Sequence, residues 1–309
     1  MTDYAKYEGL IVDPNIELWN QSYYYNAYDP TTRMGCVIRI GLLPNQKQAN
    51  NWLIVFSDGL PVFARSNLNL PYTDARPADG LAIAGMKVQS VAPVTHTHIS
   101  FADGDFAFEL DWQSTAPMAD CLAMTQEAES TFASELATVH LEGPCSMTGH
   151  VVVRGERIEL SGTEFRDIAA GPRNWNALQH YRTAWPIFAN GMAFAGVHGM
   201  STGGQSSYMR MFHDGQQWLR VNSFAETIEY GPDRFSVKSM QWTFDDETGR
   251  EFTFTASPLF SWIFPLDAFV VAEQIMEYRL SDGTLGYGLS ENGFRLPWHG
   301  NAARGRKLS

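Results

Sequence analysis

The sequence predicts an all-β chain folded as two tandem antiparallel β-barrel or sandwich domains joined by a short helical linker. Three observations carry this: many short runs of alternating apolar and polar residues, tight-turn dipeptides between them, and one helix-favouring stretch near the middle. At 309 residues the chain is long enough for two hydrophobic cores of ordinary size.

In chain order, the run from Trp19 to Pro44 reads as an aromatic-rich hairpin turning at Asp29-Pro30, with Cys36, Ile38 and Ile40 set against Val37 and Arg39. Asn51 to Phe56 makes a third strand ending at Asp58-Gly59, where glycine accepts positive φ. The Pro-rich piece from Leu70 to Asp79 reads as loop. Strands resume at Leu81 and over Ser90–Phe101, then turn at Asp103-Gly104 into Phe106–Pro117. His96 and His98 fall on one strand face. That spacing would suit a metal pair, but no third ligand accompanies it, and a hydrogen-bonded or solvated face is expected.

Ala119–Val139 contains the helix formers Ala, Met, Glu and Leu, diluted by Thr131, Thr138 and Val139. It reads as a partly helical linker and sets the expected division into domains 1–139 and 140–309. Beyond it, Tyr181–Ala189, Met192–His198, Ser207–His213, Trp218–Phe224, Ser236–Trp242, Glu251–Ala256, Ala268–Leu280 and Leu285–Leu289 read as strands. Asn190-Gly191, Asp214-Gly215 and Asp282-Gly283 mark turns. The basic tail from Gly300 to Ser309 is expected to fray.

Between the two halves, His140 to Trp175 reads as a strand, a turn at Arg154-Gly155, a second strand carrying Ile158 and Leu160, and then a loop. In that loop alternation stops, and Arg166, Asp167, Arg173 and Trp175 arrive between Gly162, Gly171 and Pro172. Loops on a rigid scaffold concentrate binding and catalytic groups. The same residues equally suit an Arg–Asp brace.

This stretch resembles the domain-junction signature of the AttH-like family, which includes carotenoid 1,2-hydratases and lipocalin-like cyclases. Members show His-x-Glu, then G-x-V, then G-x-G-x-R-D-H-S-W-G-x-R-D-W. The sequence keeps His140, Glu142, Gly149, Gly162, Arg166, Asp167, Gly171, Arg173 and Trp175. It departs at Ile168, Ala169 and Ala170, where the family has His-Ser-Trp, so the histidine associated with the family's proton handling is absent. The resemblance covers most of the chain and implies lipocalin-like barrels.

Composition narrows the function. Thirty-four acidic against 22 basic residues give a net charge of −12, which repels phosphate backbones and anionic lipid. Nucleic acid is not expected as a partner. Cys36, Cys121 and Cys145 lack CxxC spacing and read as reduced, buried thiols. Neither a basic–apolar leader nor an 18-residue apolar run occurs, so a cytoplasmic chain without a membrane span is expected. No nucleotide, serine-hydrolase or zinc-protease motif is present, and neither cofactor nor metal is expected.

What remains is a carboxylate beside arginines, a histidine and a second acid, and many aromatic rings. Asp167, His140 and Glu142 are the candidate catalytic residues: Asp167 as proton donor or acceptor, and Glu142 sharing a strand face with His140. Glu142 could alternatively pair with Arg166 or Arg173, which are read as structural. Trp175, Tyr181, Trp185 and Phe194 are candidate substrate contacts, because π-faces stabilise developing cations. The expected function is a cofactor-independent lyase or hydratase, isomerase or cyclase acting on an apolar, terpenoid-like molecule. The alternative is a lipocalin-like protein that binds a hydrophobic ligand without changing it.

Overall fold

A computed structural model describes residues 4–9, 11–126, 130, 132–266 and 268–296; the basic tail lies outside them. The chain is all-β and divides into two compact units, Met1–Asp120 with Glu135–Arg173, and Cys121–Ser134 with Asn174–Ser309.

In the first unit, eleven antiparallel strands form one sheet. They are β1 (Trp19–Asp29), β2 (Met34–Leu43), β3 (Gln48–Ser57), β4 (Leu60–Pro71), β5 (Leu81–Ile83), β6 (Met86–Ala92), β7 (His96–Asp103), β8 (Phe106–Ser114), β9 (Ala119–Asp120), β10 (Val139–Val153) and β11 (Glu156–Pro172). Their order is β4-β3-β2-β1-β11-β10-β8-β7-β6-β5, with β9 on β10. The sheet curls: Phe63 on β4 stacks on Phe106 of β8 with ring centroids 4.3 Å apart, though five strands lie between theirs in the order. The enclosed core holds Tyr23, Tyr25, Ile38, Leu53, Phe108, Trp112, Leu141 and Ile168.

The second unit is a closed barrel of β12 (Leu178–Phe188), β13 (Ala193–Ser201), β14 (Ser206–His213), β15 (Trp218–Tyr230), β16 (Val237–Asp246), β17 (Glu251–Leu266), β18 (Phe269–Leu280) and β19 (Leu285–Arg295). Eight strands give an interior that side chains can fill, and Phe194, Phe212, Trp242, Phe244, Phe254 and Tyr278 fill it. The expected turns are present, with Gly191, Gly215 and Gly283 at φ of 84°, 95° and 90°.

Three sequence expectations need correction. Ser90–Phe101 is two strands, not one, because Pro93 removes a donor and Val94 turns the chain at φ 55°. The loop expected after Phe165 is strand: β11 continues to Pro172, paired to β10 on one side and β1 on the other. Alternation fails there because both faces of β11 are buried from Phe165 to Gly171, which leaves no wet face to select polar residues. The boundary expected after residue 139 also differs from the observed division. The β10–β11 hairpin hydrogen-bonds between β8 and β1 of the first unit. Among the described residues, the linker reading survives as the short α1 (Cys121–Met124) and a 3₁₀ turn at Ala133–Glu135. Helix α1 packs on β14, where Thr125 Oγ1 accepts the Arg210 backbone N–H at 2.8 Å.

Gly149 in β10 adopts φ 144°, and a Cβ there would sit 2.1 Å from the Glu109 carbonyl oxygen. Gly149→Ala is therefore expected to destabilise the protein by about 2–3 kcal/mol in denaturant unfolding, against about 0.5 or less for Thr148→Ala at the exposed neighbouring position.

Candidate functional site

A strand repeats every two residues, so His140 and Glu142 project from the same face of β10. Glu142 stands directly opposite Asp167 in the β10–β11 register. The three side chains converge on one atom: His140 Nε2 lies 2.5 Å from Asp167 Oδ2 and 3.1 Å from Glu142 Oε1. The His140 backbone N–H donates to Asp120 Oδ1 at 3.2 Å, which fixes the strand beneath the imidazole. Glu142 is buried, and the His140 and Asp167 side chains are 12% and 11% exposed.

Burial alone pulls the His140 imidazole toward its neutral form. The Asp167 charge and hydrogen bonds to Asp167 and Glu142 outweigh it, raising the pKa from 6.5 to about 10. The resting imidazole is thus protonated, between the Asp167 and Glu142 side chains. The three donor atoms lie within 4.8 Å of one another, so the set could ligate a divalent cation.

The same sheet face carries groups that sequence reading passed over. Tyr24 pairs with Asp167 across β1 and β11, Arg39 with Tyr24, and Trp52 with Arg39. Tyr24 and Trp52 meet edge to face at 6.0 Å, and the Arg39 guanidinium lies 4.6 Å above the Trp52 ring. The Tyr23-Tyr24-Tyr25 run carried the signal, since a strand must send its middle ring to the face opposite the outer two.

Arg166, one residue from Asp167, points to the other face of β11. It is 1% exposed, ion-paired to Glu8, and its Nη2 donates to Tyr25 Oη at 3.4 Å. Glu142 therefore pairs with His140 and does not face Arg166. Arg173 donates its backbone N–H to the Leu18 carbonyl at 2.9 Å.

The candidate aromatic contacts belong to the second unit and do not share one surface. Half-buried Trp175 packs with Tyr181 and Phe269 at 5.9 and 5.4 Å. Tyr181 and Trp185 project outward from β12. Phe194 is fully buried inside the barrel against Trp242, Phe244 and Phe254, as a packing residue. His96 and His98 both bond Asp111 on β8, at 2.7 and 3.3 Å, as a hydrogen-bonded strand face.

A family model described as a domain of unknown function, DUF7064, matches residues 12–295. The chain belongs to the DUF7064 family. No curated protein matches it in sequence. Among solved structures, this DUF7064 protein resembles an AttH-like protein from Nitrosomonas europaea, with TM-score 0.69 and 10% identity over 94% of this chain and 96% of that one. It also resembles kievitone hydratase from Nectria haematococca, with TM-score 0.60 and 10% identity over 95% and 93% of the two chains. A third similar structure is CghA, with TM-score 0.62 and 12% identity over 96% of each. The AttH-like resemblance read from the junction signature therefore holds at the level of the fold. Among the described residues of this DUF7064 protein, no helix is long and apolar enough to cross a membrane.

Two measurements check this geometry. The folded-state pKa of His140 exceeds its unfolded value, so its stabilising contribution is complete below about pH 6.5 and is lost as pH rises through about 10. Ring ¹⁵N shifts should accordingly show both nitrogens of His140 protonated at pH 8, and His140→Gln should flatten the pH dependence of unfolding free energy between pH 7 and 10. Arg166→Lys should lower stability by about 1–3 kcal/mol, because the ammonium loses the planar guanidinium's packing over the Tyr25 ring, 5.3 Å from its centroid, and its shape for holding Glu8; an unchanged melting curve would remove Arg166 from the structural role.

Proposed function

We propose that this protein is a cofactor-independent acid–base enzyme of the hydratase, isomerase or cyclase type acting on an apolar small molecule. Asp167 exchanges the proton with substrate, His140 resupplies it, and Glu142 holds the imidazole. The observation that carries the reading is the convergence of two carboxylates on His140 Nε2 in a largely buried site. A buried titratable group perturbed by desolvation and by a specific charge partner marks a functional-site candidate. The hydratase among the structural neighbours supports the reaction class.

In the proposed cycle the proton shared between Nε2 and Oδ2 moves to Asp167, and Asp167 delivers it to a substrate carbon. Water or an internal nucleophile then completes addition or ring closure, and its surplus proton returns through Asp167 to His140. A proton held at about 10 is a weak acid. It suits a carbon made electron-rich by an enol or a phenol better than an isolated alkene. Tyr24 and Trp52 on the same face supply π-surface for such a substrate.

Asp167→Asn keeps the shape and removes the titratable proton. Once shown to be folded, the variant is expected to lose about 10²–10⁴ in turnover, with wild-type turnover falling as pH rises through about 10. Wild-type turnover by the variant would end the assignment. A wild type that binds candidate substrates and leaves their masses and isomeric form unchanged would establish the carrier reading instead.

A further inference from the structure

The opposite face of β11 carries a second polar centre that the proposed chemistry does not use. Glu8 lies in a 3₁₀ turn (Ala5–Glu8) ahead of the first strand and is 0% exposed. It reaches Arg166, 158 residues away, and its Oε1 also accepts the Val94 backbone N–H at 2.8 Å. The bond engages one corner of the guanidinium. Among the described residues, Arg166 Nε and Nη1 and Glu8 Oε2 have no hydrogen-bond partner, although all three atoms are buried. An arginine fork can take a carboxylate through two parallel bonds. Here that capacity is incompletely used.

The segment bearing Glu8 is attached in an unusual way. Among the described residues between 4 and 18, no strand pairs with the sheet. Sheet side chains instead hold its carbonyls: Gln21 Nε2 donates to Tyr7 O and Gly9 O at 2.8 and 3.2 Å, Tyr23 Oη to Tyr7 O at 3.3 Å, and Trp19 Nε1 to Ile11 O at 2.9 Å. Tyr4, Tyr7, Ile11, Val12 and Ile16 rest, partly buried, on the enclosed core. Such contacts can be released without breaking a β ladder.

Charge shows what release would require. Among the described residues, the carboxylate ion-paired to the buried Arg166 guanidinium is that of Glu8. Without Glu8 that guanidinium loses its paired counter-charge, and a buried unpaired charge is costly enough to favour capture of an anion. The surrounding wall is aromatic, with Tyr25 and Trp112 in contact at 5.5 Å and Phe101, Phe106 and Phe108 beyond.

We propose that Glu8 is a built-in occupant of a carboxylate site on Arg166, and that the N-terminal segment is a displaceable plug which an apolar molecule bearing one carboxylate replaces. The site is separate from Asp167, which projects from the other face of the same strand.

The test uses the full chain and cis-parinaric acid, a fatty acid that fluoresces when buried. Glu8→Gln weakens the plug and leaves Arg166 in need of an anion, so this variant should bind the acid at least about tenfold more tightly than wild type and melt higher in its presence. The methyl ester should show no such gain. The double variant Glu8→Leu with Arg166→Met strands no charge and should fold, yet bind the acid no better than wild type. The proposal is overturned if Glu8→Gln binds no more tightly, if it stays unfolded at saturating acid, if the ester gains equally, or if the gain persists in the double variant.

Discussion

The first unit depends on one constraint: β11 is covered on both faces, so its two-residue period sends neighbouring side chains into two separate buried environments. Arg166 and Asp167 are adjacent in sequence and opposite in charge, and the pleat forbids them from neutralising each other. Each must therefore find its own counter-charge. Asp167 finds His140, one strand away, while Arg166 finds Glu8 from the chain's beginning. A one-residue slip in the β10–β11 register would exchange the faces and leave both pairs unmade. The hairpin's tight turn at Arg154-Gly155, with φ of 52° and 84°, sets that register.

The same constraint explains what the sequence revealed. Turn dipeptides and alternation exposed the barrel strands, because most walls there have one inner and one outer face and polarity reports which is which. The convergence of His140 with Glu142 was legible from their spacing alone. Alternation carried no information where both faces are dry, so β11 past Phe165 read as loop. Glu8 gave no local signal, since its partner is fixed only when the sheet closes. Phe194 differs from Tyr181 and Trp185 by the side of the wall it faces, and aromatic composition is blind to that.

The two units solve the edge problem of β structure differently. The C-terminal barrel closes, with β12 hydrogen-bonded to β19, leaving no open edge. The N-terminal sheet remains open between β4 and β5 and is drawn together by side chains: rings at Phe63, Phe101 and Phe106, and the Arg65–Asp103 ion pair. Side-chain closure leaves more freedom than a continuous ladder, and the N-terminal segment packs into this more yielding half.

The position of the β10–β11 hairpin bears on how the chain is made. A ribosome delivers the first 120 residues with β1 and β8 each lacking the neighbour that will separate them, and then delivers residues 121–134, which belong to the other unit. Only afterwards does the hairpin emerge to fill the gap. Until then two long strands present bare hydrogen-bonding edges, the exposure that chaperones shield during synthesis. Completion of the first unit thus waits on sequence that lies beyond the start of the second, so the chain is interleaved in time as well as in space.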